Sequence, residues 1–514
     1  MKRVQLLLFA LIAILTVKAQ IPGSLDSTFG VNGIYVPPQD YNEIFKVVQQ
    51  TDGKLVCIGY KYQPGISILA RYFPDGTPDS DFGTNGIVEI ESSSTFGAVF
   101  VDLHLLPDGR FVTSGYNGVY LASGNISLAR FLSDGSPDPT FGTNGLVISE
   151  LTNGFDIGRA VAVQDDGKIL VAGYSEDNND YNFVLIRYLA NGNFDPSFGA
   201  GGQISLVLSD DDTLEDVVID DQGNILVCGH TWVGTHYDFI IMRFTSDGLP
   251  DNTFNYNGRL IADIDNGSND LANNMSLQAD GKILVTGVSE NQEDDADFAT
   301  IRINTNGIPD NSFGQSGIAV NGFVNDYYDE AKYVGVQPDG KILVAGNTKL
   351  DGFNYHVGIL RYNEDGSLDN SFGFLGYSGI QHGTVDVIGD ALLTADQHLL
   401  VVGVTDSSPM MARFITGLET GFPEYSSLPD VLVYPNPSAG TPVEVAISLD
   451  QPGMVSVGLF DATGRSYGDI IPRQWFASGR HTLEIPSWKI AGPGLWFIRI
   501  NKPGGNQLIK LVRR

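Results

Sequence analysis

Two cysteines in 514 residues are too few for a disulfide scaffold. Cys57 in "KLVCIG" and Cys228 in "NILVCG" fall in the same strand of different repeats, one register position apart. That predicts two small buried hydrophobes facing opposite sides of a sheet, not a disulfide or metal pair. Basic residues are also scarce: 30 Lys and Arg stand against 61 Asp and Glu, a net charge of −31. A field of that sign repels nucleic acid and anionic membranes, so neither is an expected partner. Solubility outside the cell is sufficient reason for it. No G-x-S-x-G elbow, H-E-x-x-H pair or P-loop occurs. The seven histidines are scattered, and His230 and His236 are spaced wrongly for two ligands on one helical face. No segment carries a helical period. The expectation is therefore no catalytic residue, no cofactor, and a protein that is not an enzyme.

Long apolar runs are missing except at the start. Lys2 and Arg3 precede an apolar stretch from Val4 to Val17, then Lys18-Ala19 before Gln20. This reads as a secretory signal peptide over residues 1–19, too short for the ~20 residues a membrane span needs. The protein is accordingly not expected to be integral to a membrane, and a monomer is expected.

Repetition is abundant. "LDSTFGVNG" at Leu25 returns as "PDSDFGTNG", "PDPTFGTNG", "FDPSFGAGG", "PDNTFNYNG", "PDNSFGQSG" and "LDNSFGFLG". Each copy is followed by a "QxDGKILVAG"-like stretch and then a "LARYxxDG"-like stretch, seven times in the same order. Periods of this size mean propellers or solenoids. The Asp-Gly pairs mark tight hairpins, and "KILVAG", apolar on both faces, marks a strand covered on both sides. In the third repeat the strands are expected at Gly145–Glu150, Ala160–Gln164, Lys168–Tyr174 and Phe183–Leu189. The fold class is thus all-β: a seven-bladed β-propeller over residues 21–417, closed by the N-terminal "GIYV" as edge of the last blade, with a small Ig-like sandwich after it. Within each motif the Asp (Asp26, Asp79, Asp138, Asp195, Asp251, Asp310, Asp369) should fix a turn, and the Phe should plug the space between blades.

These three motifs, in register from Leu25 to Gly417, resemble the delta-60 repeat of bacterial secreted proteins, a family with no agreed activity. After a linker at 418–429, residues 430–514 change texture and charge, with nine Lys and Arg against six Asp and Glu. Alternating apolar residues with Gly and Pro turns predict an antiparallel sandwich. Tyr434-Pro435-Asn436-Pro437, the segment around Gly464, the segment from Gly494 and Lys510 near the end resemble the type A C-terminal sorting domain of the type IX (Por) secretion system. The resemblance implies a Bacteroidota-type bacterium, export by that machinery as partner, and an extracellular or cell-surface location reached through the periplasm.

Two sets of residues are candidates for binding. Asp156, Asp212, Asp270, Asp329 and Asp386 stand at one position of five repeats, where a carboxylate ring attracts a cation. The structural alternative is that each pairs with the repeated Arg (Arg71, Arg130, Arg187, Arg243, Arg302, Arg361, Arg413) or caps a turn, and no metal is the preferred expectation. The fourth repeat is the most divergent, and its "HTWVGTHYD" holds Trp232, the only Trp of the repeats. Trp232 with His236 and Tyr237 offers a surface for a sugar or a protein; the alternative is a Trp packed on a neighbouring blade. The expected function is a secreted or surface binding scaffold. The alternative is a polysaccharide lyase or hydrolase on the same scaffold, or an adhesin.

Overall fold

The computed structural model describes residues 21–418 and 431–513, except 38–40, 64, 91–97, 120–122, 153, 178–179, 210, 266, 291–294, 324–326, 350–353, 435–442, 450–451, 462–465, 486–493 and 503–504. The signal peptide, most of the linker, Pro435, Asn436, Pro437 and Gly464 lie outside the described residues. Every described regular element is a strand. The chain divides into two compact units, Met1–Glu419 and Thr420–Arg514.

In the first unit β1 (Ile34–Tyr35) stands apart. Six sheets of four follow, each in chain order. They are β2 (Glu43–Gln49), β3 (Leu55–Lys61), β4 (Ile66–Tyr72), β5 (Ile87–Ile90); β6 (Ala98–Leu105), β7 (Phe111–Val119), β8 (Ser123–Phe131), β9 (Leu146–Ser149); and β10 (Asp156–Val163), β11 (Ile169–Asp177), β12 (Asp180–Tyr188), β13 (Gln203–Leu206). Next come β14 (Asp212–Ile219), β15 (Ile225–Trp232), β16 (Tyr237–Phe244), β17 (Arg259–Ala262); β18 (Asp270–Leu277), β19 (Ile283–Glu290), β20 (Ala296–Ile303), β21 (Ile318–Asn321); and β22 (Glu330–Val336), β23 (Ile342–Thr348), β24 (His356–Tyr362), β25 (Tyr377–Ile380). The last sheet holds β26 (Asp386–Leu393), β27 (Leu399–Thr405) and β28 (Ser408–Phe414), and β1 completes it, pairing Ile34 with Ala412 and Tyr35 with Met411.

The expected closing strand is therefore in place, and its position reveals an offset. The strand after each Phe-Gly motif is the outer strand of the preceding sheet, so the strand expected at Gly145–Glu150 is β9 and pairs with β8. The strand expected from Ala160 starts earlier, at Asp156, because a bulge at Arg159 lets pairing continue past it. All seven first strands carry this bulge, and the Gly that ends each "ILVAG" lies opposite it. A Cβ on Gly229 would meet the Thr213 carbonyl oxygen at 1.9 Å. Steric exclusion, not turn chemistry, keeps that position glycine.

Consecutive sheets pack face to face, and β2 packs on β26 as it does on β6. Each interface holds a core drawn from two sheets. Cys57 sits with Leu400, Val402 and Met411 of the last sheet, and Cys228 with Ala272, Met275 and Val285 of the fifth. The two thiols do point to opposite faces, unpaired and buried, and burial pushes both pKa values up. Where the repeats meet, Ile415 N–H donates to Ser24 O (2.9 Å) and Gly23 N–H to Ile415 O (2.7 Å). The first sheet makes the same two bonds within one turn, Phe73 N–H to Thr77 O (2.8 Å) and Gly76 N–H to Phe73 O (2.9 Å).

The second unit holds β29 (Val431–Tyr434), β30 (Val443–Leu449), β31 (Gly453–Asp461), β32 (Ser466–Phe476), β33 (Gly479–Ile485), β34 (Gly494–Lys502) and β35 (Gly505–Arg513). They form a three-stranded sheet, β29-β30-β33, and a four-stranded sheet, β32-β31-β34-β35. Val445, Ile447, Val457, Leu459, Ile498 and Ile500 share one core between them. Tyr434 ends β29, Gly494 opens β34, and Lys510 lies in β35 opposite Phe497.

Candidate functional site

The repeated polar residues form a clasp at every joint. Arg187 Nε donates to Asp195 Oδ2 at 2.9 Å, and its guanidinium lies 4.4 Å from the centre of the Phe198 ring. Its Nη1 donates across the joint to the Ser246 carbonyl of the next sheet. Arg71, Arg130, Arg243, Arg302 and Arg361 repeat the arrangement with Asp79, Asp138, Asp251, Asp310 and Asp369. Arg413 completes it with Asp26 and the Pro74 carbonyl. The seven Phe are fully buried, as plugs should be. The other carboxylate oxygen fixes the turn: Thr28 N–H donates to Asp26 Oδ1 at 3.0 Å. Burial alone would raise these carboxyls. Bonds from the turn Ser or Thr and from the cations outweigh it, holding Asp195, Asp310 and Asp369 near 2.

This pairing corrects one expectation. Asp156, Asp212, Asp270, Asp329 and Asp386 do not pair with the repeated Arg, because the clasp Asp, eight residues after Arg in the chain, occupies it. Each instead accepts backbone N–H groups at the entry to a first strand. Leu151 and Thr152 donate to Asp156, Leu208 and Ser209 to Asp212, Ile264 to Asp270, Phe323 to Asp329, and His382 and Gly383 to Asp386. They cap turns, one in each of the third to seventh sheets, with their carboxylates engaged.

A second polar set lines the first strands just after the bulges. Lys46 Nζ lies 3.6 Å from Asp102 and 3.5 Å from Asp390. Asp102 accepts Val161 N–H of the next sheet (2.7 Å), Asp216 accepts Met275 N–H (2.8 Å) and Asp390 accepts Val47 N–H (3.2 Å). Asn274 Oδ1 and the Tyr333 hydroxyl take Val334 N–H and Leu393 N–H in the same way. Burial, only partly offset by Lys46, pushes Asp216 up to about 6. The sequence gives no signal for this set, since its members differ in type from sheet to sheet.

The fourth sheet carries the unlike chemistry. Trp232 and Tyr237 face each other across the β15–β16 hairpin, edge to face at 5.0 Å, and His230 meets Tyr237 at 5.3 Å. Trp232 is part-exposed and does not belong to an interface core. The Tyr237 hydroxyl donates to Asp211 Oδ2 (3.2 Å). His236 does not join them. Strand alternation sends it to the side of Asp238, where its Nε2 lies 3.3 Å from Asp238 Oδ1. The expected trio is thus a Trp232–Tyr237 pair with His236 on the other face. His236, Asp238 and Asp263 bring one ligand atom each within 4.8 Å of one another, a group missed in the sequence because Asp263 comes from beyond the next strand. Among the described residues no helix is long and apolar enough to cross a membrane.

Six segments match the family model described as "Domain of unknown function (DUF5122) beta-propeller": residues 50–82, 106–141, 164–198, 223–254, 278–313 and 337–372. Each runs from a hairpin to the Phe of the next motif, and in the seventh copy that span is divided between residues near 394–416 and 25–29. No curated protein matches the chain. Among solved structures, similar chains include a polysaccharide lyase of family PL25, an ulvan lyase (10% identity, 78% of this chain and 95% of that one, TM-score 0.44). They also include the polysaccharide lyase Uly1 (9%, 78% and 98%, TM-score 0.41) and an aldose sugar dehydrogenase from Streptomyces coelicolor (11%, 74% and 97%, TM-score 0.34). The six matching segments and the repeated four-stranded sheets fit a β-propeller-repeat protein.

Proposed function

We propose that the protein is a non-catalytic binding scaffold: seven sheets closed into a seven-bladed propeller, carried to the cell surface or medium by an Ig-like C-terminal sorting domain of the type IX system. The observation that carries the binding reading is the division of labour among polar groups. Arg, Asp and Phe of the repeats are consumed by one another at the joints, while the unlike aromatic pair Trp232–Tyr237 is left part-exposed on the β15–β16 hairpin. A part-exposed aromatic on a rigid frame stacks on a sugar face or anchors a protein side chain. A glycan array and a pull-down with the intact protein test it. A ligand that binds Trp232→Ala as well as the wild type overturns the assignment of the site.

A polysaccharide-processing enzyme is the second reading. What favours it is the convergence of Lys46 with Asp102 and Asp390, at 3.6 and 3.5 Å, beside Asp216, whose carboxyl burial raises to about 6. An assay for unsaturated or reducing ends released from acidic polysaccharides decides between the two. Release abolished by Asp216→Asn would replace the scaffold reading.

A further inference from the structure

The face of the fourth sheet opposite Trp232 has no role in the binding surface proposed above. His236 and Asp238 are two residues apart, so both project to one side where β16 begins. Asp263 lies just past β17, next in register after the Phe239–Ala262 pair, and so reaches the same side opposite Asp238. The Asp238 side chain is 8% exposed, yet its Oδ1 makes no hydrogen bond. A buried carboxylate oxygen without a donor is costly, and such an atom calls for a cation. His236 Nε2 lies 3.3 Å from it without forming a hydrogen bond to it. Two ligand atoms each ~2.0 Å from one tetrahedral ion stand about 3.3 Å apart. The other ring nitrogen, Nδ1, lies 2.9 Å from Thr235 Oγ1, a contact that holds the ring with Nε2 toward Asp238. Asp263 is braced too, its Oδ1 accepting Gly267 N–H at 3.1 Å.

We infer that His236, Asp238 and Asp263 form a binding site for a divalent transition-metal ion of the zinc type. One imidazole and two carboxylates suit zinc better than calcium or magnesium, which prefer all-oxygen shells. Three protein ligands leave a fourth tetrahedral position for water or an oxygen of an anionic ligand. The acidic surroundings, with Asp238 and Asp263 side by side, add a field that draws a cation in.

The test is titration of the chelator-stripped, intact protein with zinc alone, followed by calorimetry and by the melting temperature. The wild type should take up one zinc per chain at micromolar concentration and melt higher with it. His236→Ala and Asp238→Asn should each weaken uptake at least ~10-fold and lose the melting shift. Trp232→Ala, on the opposite face, should retain both. Circular dichroism identifies a variant that fails to fold, and Asp263→Asn, at an exposed position, supplies a variant whose folding is not in question. No uptake by the wild type, uptake that survives both His236→Ala and Asp238→Asn, or calcium bound as tightly as zinc would each overturn the assignment.

Discussion

Arg413 and Asp26 are separated by 387 positions, yet Arg413 Nη2 lies 2.6 Å from Asp26 Oδ2, both side chains largely buried. The same guanidinium sits 5.0 Å from the centre of the Phe29 ring and donates to the Pro74 carbonyl at 2.8 Å. This is the clasp of the other six joints, assembled from the two ends of the repeat region.

Breaking that joint should weaken the whole first unit. Removing one partner of a buried ion pair strands the other charge, at a cost of about 3 kcal/mol. Arg413→Ala should lower stability by that amount in denaturant titration. An effect below ~0.5 kcal/mol would mean that β1 pairing alone holds the seam.

Gly229→Ala tests the bulge. The added Cβ falls 1.9 Å from the Thr213 carbonyl oxygen, and backbone must move to make room. Overpacking of this kind costs about 1–3 kcal/mol, measured by thermal or chemical unfolding. A neutral substitution would show that the first strand yields freely.

Two carboxylate classes set opposite pH trends. Asp195, Asp310 and Asp369 sit near 2 when folded, below the ~3.9 of an unfolded chain. Their stabilisation is full above pH ~4 and is lost as pH falls toward 2. Burial raises Asp216 and Asp329 to about 6, so the folded state takes up protons there and gains stability as pH falls from 7 to about 4. Melting temperature should therefore peak in the mildly acidic range and collapse below about pH 3. Asp329→Asn should flatten the rise between pH 7 and 5. An unchanged slope would refute the assignment of Asp329.

Trp232→Ala should leave the melting temperature within a few degrees of wild type, since Trp232 lies on a hairpin outside the interface cores. A fall of ~10 °C or more in differential scanning calorimetry would make it a packing residue instead.

Deleting Asp430 to Arg514 should leave a folded propeller in the periplasm. Each unit has cores of its own, the condition for the first to fold without the second. Fractionation of full-length and truncated strains, with and without the type IX machinery, is the measurement. A truncated protein at the surface or in the medium would end the sorting reading.

The strands, the hairpins, the closing role of Ile34–Tyr35 and the buried thiols were legible because each follows from a local pattern repeated in register. Arg187 and Asp195, eight residues apart, also carried a signal: the same interval recurs in six repeats and only the seventh hides it by dividing Arg413 from Asp26. The bulge at Arg159 left no mark except the Gly opposite it. The meeting of His236 and Asp238 with Asp263 could not be read, because it depends on which residue of a third strand falls in register.

The turn at the seam has a topological consequence. Gly23 and Ser24 bond to Ile415 as Gly76 and Thr77 bond to Phe73, so Thr416 and Pro22 occupy the places of Pro74 and Asp75. What is one continuous turn in the first sheet is here the same turn with a single peptide link missing. The first unit behaves as a circle cut once, and the cut has no privileged site. Joining Thr416 to Pro22 and opening the chain at Pro74–Asp75 instead would give a circular permutant with the same seven clasps, its new ends in another sheet.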